Sequence, residues 1–292
     1  MKALLALIER EYLEHKAAFV IAPTVILALL ALVLVSATAL DRIRIPAFIA
    51  TSSARVLEIG LLLVAGLWFV YLMASLFFYF ADAFNADRRN NAMLFWKSMP
   101  VSDFKMLGAK MLAGLTVFPA LILLAILATS VLVVGFAFIA ADRLPIGGLD
   151  LGTVLSAAGH VGLFVIVWFA LGLLWYAPFF AWVGLLSALV GRWSIPLAIL
   201  VPGMIGMFER LLLGGDGPRH GYFLEWLGNR FQFAIGEETF MQRYIDQPRF
   251  DAVAAIGDIL ASIDWASLVG GLVVTMLFVY AASEYRRRFI AA

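Results

Sequence analysis

Residues 17–40 read AAFVIAPTVILALLALVLVSATAL. None of these 24 residues is charged. As a helix rising 1.5 Å per residue they cover about 36 Å, enough to cross a hydrocarbon core of about 30 Å with some tilt. The stretch predicts a transmembrane helix, and the whole chain shares its character. Of 292 residues, 64% are hydrophobic and 14% charged, with a mean hydropathy of +0.98. Soluble domains are about half apolar and a quarter charged, so the bilayer must be the solvent for much of this surface. The net charge of +1 points neither to nucleic acid nor to an acidic partner. With no cysteine, disulfides and thiolate metal sites are excluded. Glu9, Arg10, Glu11, Glu14 and Lys16 fall where the apolar core of a signal peptide would sit, so the first apolar segment reads as a retained anchor.

Before that segment, residues 1–16 (MKALLALIEREYLEHK) place Leu4, Leu5, Ile8 and Tyr12 on one helical face and Lys2, Glu9 and Arg10 on another. A polar face this charged predicts a helix lying in the interface plane, in preference to the frayed start of the first span. Beyond it, apolar stretches predict spans at about Val56–Phe80, Met106–Phe138 and Trp265–Ala282. Residues 153–213 are nearly all apolar, broken by Pro178, Arg192, Pro196 and Pro202. They hold two crossings or three. Two are favoured, one helix over 153–190 kinked at Pro178 and a return helix over 193–213, because a separate crossing of about 14 residues is too short. Pro178, Pro196 and Pro202 are the expected kinks. Residues 214–264 open on Gly214, Gly215, Gly217 and Pro218 and then mix acids with aromatics. That predicts short amphipathic helices at the bilayer surface. The sum is an all-α integral membrane protein, one domain over 1–292, with six transmembrane helices.

Basic residues orient it. With the N-terminus inside, six spans put 12 of the 21 Lys and Arg in the cytoplasm, including every lysine and the Arg286–Arg288 triplet. A seventh span would export the triplet. Arg42, Arg44 and Arg55 make the first external loop basic, against the trend.

No phosphate-binding loop, HExxH pattern or nucleophile elbow occurs, and His15, His160 and His220 lack ligand spacing. The chain therefore reads as neither an ATPase nor another enzyme, with no metal site. His160 is the one ionisable residue well inside a predicted span, and a neutral side chain hydrogen-bonded between helices is favoured over a proton relay. No carboxylate falls near mid-span, as an ion-coupled transporter would need.

The informative polar stretch is Asp82–Lys110, DAFNADRRNNAMLFWKSMPVSDFKMLGAK. It predicts a short surface helix at about 87–98 presenting Phe95 and Trp96 between Arg88, Arg89 and Lys97, with Ser102 as N-cap of the next helix. Such a patch suits docking of a protein or of lipid headgroups.

The run DRRNNAMLFWKSMPVSD closely resembles the loop between the second and third spans of bacterial ABC-2 type transporter permeases, and LIEREYLEHK resembles the charged phrase before their first span. The resemblance implies six transmembrane helices, both termini cytoplasmic, in the bacterial inner membrane. It implies a coupling helix within loop 82–105 that docks a separate ABC ATPase carrying ATP and Mg, with Asp87, Arg88, Arg89, Phe95, Trp96, Lys97 and Ser98 in or beside that contact. The interfacial helix, with Glu9, Arg10 and Glu11, precedes the first span. The resemblance also implies a homodimer or heterodimer of permeases, and short helices in 214–264 entering the outer leaflet. The implied function is an ATP-driven exporter of a hydrophobic or amphipathic substrate. The alternative is a non-transporting membrane anchor that recruits an ABC ATPase.

Overall fold

A computed structural model describes residues 2–40, 53–89, 101–140, 150–212, 222–233 and 249–289. Every regular element among them is helical: α1 (Lys2–Glu14), α2 (Ala22–Ala39), α3 (Ser53–Arg89), α4 (Asp103–Leu112), α5 (Phe118–Ala140), α6 (Leu151–Val190), α7 (Ser194–Leu212), α8 (Tyr222–Phe231), α9 (Ala252–Ser262) and α10 (Trp265–Phe289). Among the described residues, five helical runs are long and apolar enough to cross a membrane: Ala17–Ala39, Ala54–Asp87, Asp103–Ile139, Leu151–Leu212 and Trp265–Arg288. Backbone groups that lipid cannot satisfy are thereby paired within each helix.

The fourth run is not one rod. α6 ends at Val190, residues Gly191–Trp193 make a single 3-10 turn, and α7 starts at Ser194. Gly191 adopts φ 58°, and a Cβ there would also lie 2.9 Å from the Asn85 amide nitrogen, so only glycine fits. Across the turn, the Trp182 indole reaches the Ala198 carbonyl, and Ser194 Oγ donates to the Ala81 carbonyl of α3 at 3.0 Å. The core lies where α6 packs on α3 and α10, with Leu72, Leu76, Phe80, Phe169, Ala177 and Ala282 buried.

Two helices are interrupted by a π-turn, one over Ala17–Ile21 and one over Ala113–Val117. Their sequences share a form, AAFVIAP and AGLTVFP, each with proline at the seventh place. Proline donates no N–H, and the wider turn absorbs the missing bond. The Ala22 N–H bonds the Ala17 carbonyl and the Phe118 N–H the Ala113 carbonyl. One residue on, Pro23 has no N–H for the Ala18 carbonyl, and the Tyr71 hydroxyl donates to that oxygen at 2.5 Å. The two π-turns are neighbours, for Phe19 and Phe118 stack with centroids 3.9 Å apart and planes within 1°.

Gly114 within the second π-turn lets that helix approach α3. A Cβ on it would stand 2.5 Å from Phe80 Cζ. Phe80 is fully buried against Tyr79 and Phe180 and has nowhere to move. Gly114→Ala is therefore expected to cost about 1–3 kcal/mol by overpacking, read as a lower unfolding temperature in mild detergent; an unchanged temperature contradicts the packing.

Several expectations are revised. α3 runs on through Asp82 to Arg89, so Asp87, Arg88 and Arg89 belong to its last turns, and the rest of the surface helix expected over 87–98 lies outside the described residues. The apolar pattern stops at Phe80, but the helix continues to a last stretch in which Asp87 is buried against other helices. Ser102 does cap α4, accepting the Lys105 N–H at 3.3 Å. Pro178 and Pro202 lie inside helices, whereas Pro196 falls in the first turn of α7, where an N–H would have no partner in any case. His160 is exposed near the start of α6, where it lines a small cavity with Glu58 and Arg249. Arg55, counted with Arg42 and Arg44 in a basic external loop, is buried against Glu58 at 3.4 Å.

Candidate functional site

Four charged side chains from four separate segments are buried together at one end of the bundle. They are Glu11 of α1, Asp87 of α3, Lys110 of α4 and Arg286 of α10, each 1–2% exposed. An unpaired charge in such a place costs several kcal/mol, so the arrangement stands only because its members satisfy one another.

The pairing begins at Glu11. Its Oε1 accepts Lys110 Nζ at 2.7 Å, and its Oε2 accepts the buried Tyr79 hydroxyl at 2.9 Å. Lys110 Nζ also stands 3.9 Å from Asp87 Oδ2. That same oxygen accepts Arg286 Nη1 at 3.4 Å, while Arg286 Nε lies 3.4 Å from Asp103 Oδ1 at the start of α4. Asp87 Oδ1 accepts Arg10 Nη2 at 3.2 Å, and Arg10 Nε pairs with Glu14 at 2.6 Å. Burial works against the Arg10 charge, but the Asp87 and Glu14 carboxylates outweigh it and hold the guanidinium above its ordinary range. His15 closes the edge. Its Nδ1 donates to the Glu11 carbonyl at 3.0 Å, and its ring meets Tyr79 edge-on at 4.7 Å.

Local structure explains how these groups converge. Asp87 sits in the last turns of α3 and Asp103 in the first turn of α4, so one residue on each side of the 90–100 segment enters the cluster. Glu11 lies six residues before the first π-turn and Lys110 three residues before the second, on helices that touch. The two buried anions and two buried cations cancel. Such an array makes a directional fastener, since sliding one helix by a turn would strand a charge.

The sequence-predicted residues distribute unevenly. Asp87, Arg10 and Glu11 are brought into the cluster, whereas Glu9 is exposed. The face of α1 that packs inward thus carries Glu11, and Leu5 and Leu13 are left exposed. Arg88 and Arg89 end α3 beside the cluster in sequence, and Phe95, Trp96, Lys97 and Ser98 lie outside the described residues. Lys110, Tyr79, Asp103 and Arg286 are functional candidates that sequence reasoning did not single out. A signal existed in Lys110, a lysine eight residues inside an apolar helical run.

Glu11, Glu14 and His15 place potential metal-ligand atoms within 4.8 Å of one another. Both Glu11 oxygens are engaged by Lys110 and Tyr79, and Glu14 by Arg10, so the group is accounted for as an ion-pair network.

At the far end, Glu58 Oε2 accepts the Phe250 backbone N–H at 2.9 Å, anchoring the entry to α9. Both Glu209 oxygens accept N–H groups of the first turn of α8, Tyr222 at 2.9 Å and Phe223 at 2.8 Å. A carboxylate there satisfies donors the helix leaves open. The chain matches no protein-family model, no curated protein and no solved structure.

Proposed function

We propose that this multi-pass, all-α membrane protein is the permease subunit of an ABC-2 type exporter, driven by ATP hydrolysed on a separate subunit. The observation that carries the reading is the buried charge cluster. It joins α1, both helices flanking the 90–100 segment, and the end of α10 into one mount at the end of the bundle where an ATPase would dock.

In this reading the charged end is cytoplasmic, and α6 and α7 count as two crossings, which gives six. Two permease chains would enclose a pathway for a hydrophobic or amphipathic substrate. ATP-driven closure of the partner would push on residues 87–104 and on α1. The charge cluster would pass that push to α3, α4 and α10 as a unit, because none of the four can shift alone without stranding a buried charge. Bending would fall at the paired π-turns just beyond the cluster, where the helical hydrogen bonding is already interrupted. On this reading the Phe19–Phe118 stack makes the two turns bend together.

The test is co-purification from native membranes in mild detergent, with partners identified by mass spectrometry. A stoichiometric ATPase with a phosphate-binding loop is expected with the wild-type chain. It should be lost in Arg88→Glu/Arg89→Glu, two substitutions at the end of α3. Retention of the ATPase by that variant would sink the docking assignment.

A further inference from the structure

The region between α7 and α10 holds an arginine that the proposed transport cycle does not use. Short helices were expected over 214–264, and α8 and α9 fall there, with α8 turning one charged side chain inward. Arg230, in its last turn, is 5% exposed. Its backbone carbonyl accepts the Trp175 indole N–H at 2.8 Å, and its Nη2 donates to the Trp175 carbonyl at 3.1 Å. The guanidinium carbon stands 3.9 Å over the Trp175 ring. Trp175 lies 15 residues before the end of α6, so the guanidinium sits about 22 Å along the bundle from that end.

Two features of the surrounding helices make room for this charge. Pro178 has no N–H for the Leu174 carbonyl, which loosens this turn of α6, and the adjacent Trp175 carbonyl accepts Arg230 Nη2. On α10, Gly271 faces the guanidinium, and a Cβ there would collide with Nη2 while lying 3.2 Å from Pro178 Cγ. The site is nevertheless incomplete. Nη1 is buried and has no hydrogen-bond partner among the described residues. The carboxylate whose charge Arg230 feels, Asp264, is held by the Ser267 N–H at 3.1 Å and the Ser267 hydroxyl at 2.6 Å. A guanidinium offers a planar fork suited to phosphate or carboxylate, and an orphaned donor edge is costly to keep.

We infer that the free Nη1 edge of Arg230 is an intramembrane anion site that takes the phosphate or carboxylate headgroup of an amphiphile. The Trp175 face and the Gly271 gap fix the fork, and the anion completes it. The exposed aromatic surface of α8, Trp226 and Phe231, lies alongside for the apolar chain, with Phe231 stacked on Phe179 at 4.7 Å. The inference rests on the geometry of this site alone and needs neither an ATPase nor transport.

The test is native mass spectrometry of the full chain in detergent with equal amounts of phosphatidylglycerol and of diacylglycerol, which has the same chains and no phosphate. Wild type is expected to retain phosphatidylglycerol in preference. A charge-assisted hydrogen-bond pair is worth about 1.5–3 kcal/mol, so Arg230→Gln should cut that retention by about tenfold or more. Arg230→Lys, which keeps the charge and loses the fork, should lose several-fold and carries the test should the glutamine variant not assemble. Gly271→Ala, which keeps the arginine and fills its space, should lose comparably. A further arm offers inorganic phosphate. If phosphate displaces the lipid at millimolar levels, the site is one for a free anion; if it does not, the headgroup is bound with its chain. Equal retention of both lipids by wild type, or unchanged retention by Arg230→Lys and Gly271→Ala, overturns the site.

Discussion

Asp87→Asn is expected to destabilise the protein by about 3–5 kcal/mol, the range seen when one partner is removed from a buried ionic group. Asparagine keeps the shape and most of the hydrogen-bonding capacity, so the loss reports charge and not volume. Asp87 alone contacts three cations: Arg10 at 3.2 Å, Arg286 at 3.4 Å and Lys110 at 3.9 Å. Neutralising it leaves Glu11 and Asp103 as the carboxylates closest to Lys110 and Arg286. The measurement is thermal or denaturant unfolding in a mild detergent, backed by the steady-state level in membranes. A change within about 0.5 kcal/mol, typical of a surface site, would show that Asp87 is not buried among these groups.

The second large effect separates the pair from the parts. Lys110→Met leaves the Glu11 carboxylate facing the Tyr79 hydroxyl with no cation at 2.7 Å, and should again cost about 3–5 kcal/mol. Glu11→Met combined with Lys110→Met removes both charges and restores packing volume. Buried pairs replaced together by apolar side chains are commonly neutral or better, so the double variant should recover most of the loss. The cycle is then strongly non-additive, as groups in direct contact require. If the two losses instead simply add, Glu11 and Lys110 are not partners.

The helices were legible because lipid imposes a one-dimensional rule. Residues 17–40 lack any charge, and no tertiary contact is needed to read them as a span. The hairpin of α6 and α7 followed from the same arithmetic, since 178–191 is too short for a crossing of its own. Ser102 was readable for a related reason: its partner, the Lys105 N–H, is three residues away.

The cluster was not legible, because it depends on separations of 99 residues between Glu11 and Lys110 and of 199 between Asp87 and Arg286. Each of these charges, taken singly, looks like an ordinary residue at the polar end of a span. Only their convergence shows that they are interior, and that is why Asp87 was expected on a docking surface. Arg230 hides in the same way, 55 residues from the tryptophan that holds it. The π-turns are a different case. Pro23 and Pro119 stood in plain view inside apolar runs, and the shared spacing of AAFVIAP and AGLTVFP is a local signal. What the sequence did not show is that the two turns lie side by side, with the charges of α1 and α4 just before them.

The proposal of an ATP-driven permease stands or falls on what touches the segment between Asp87 and Asp103. A photo-crosslinking amino acid placed at Trp96 and activated in living cells reads this directly. The predicted product is an adduct to a separate ATPase carrying a phosphate-binding loop, diminished in Arg88→Glu/Arg89→Glu. Adducts only to lipid, or only to a second copy of this chain, would contradict the account.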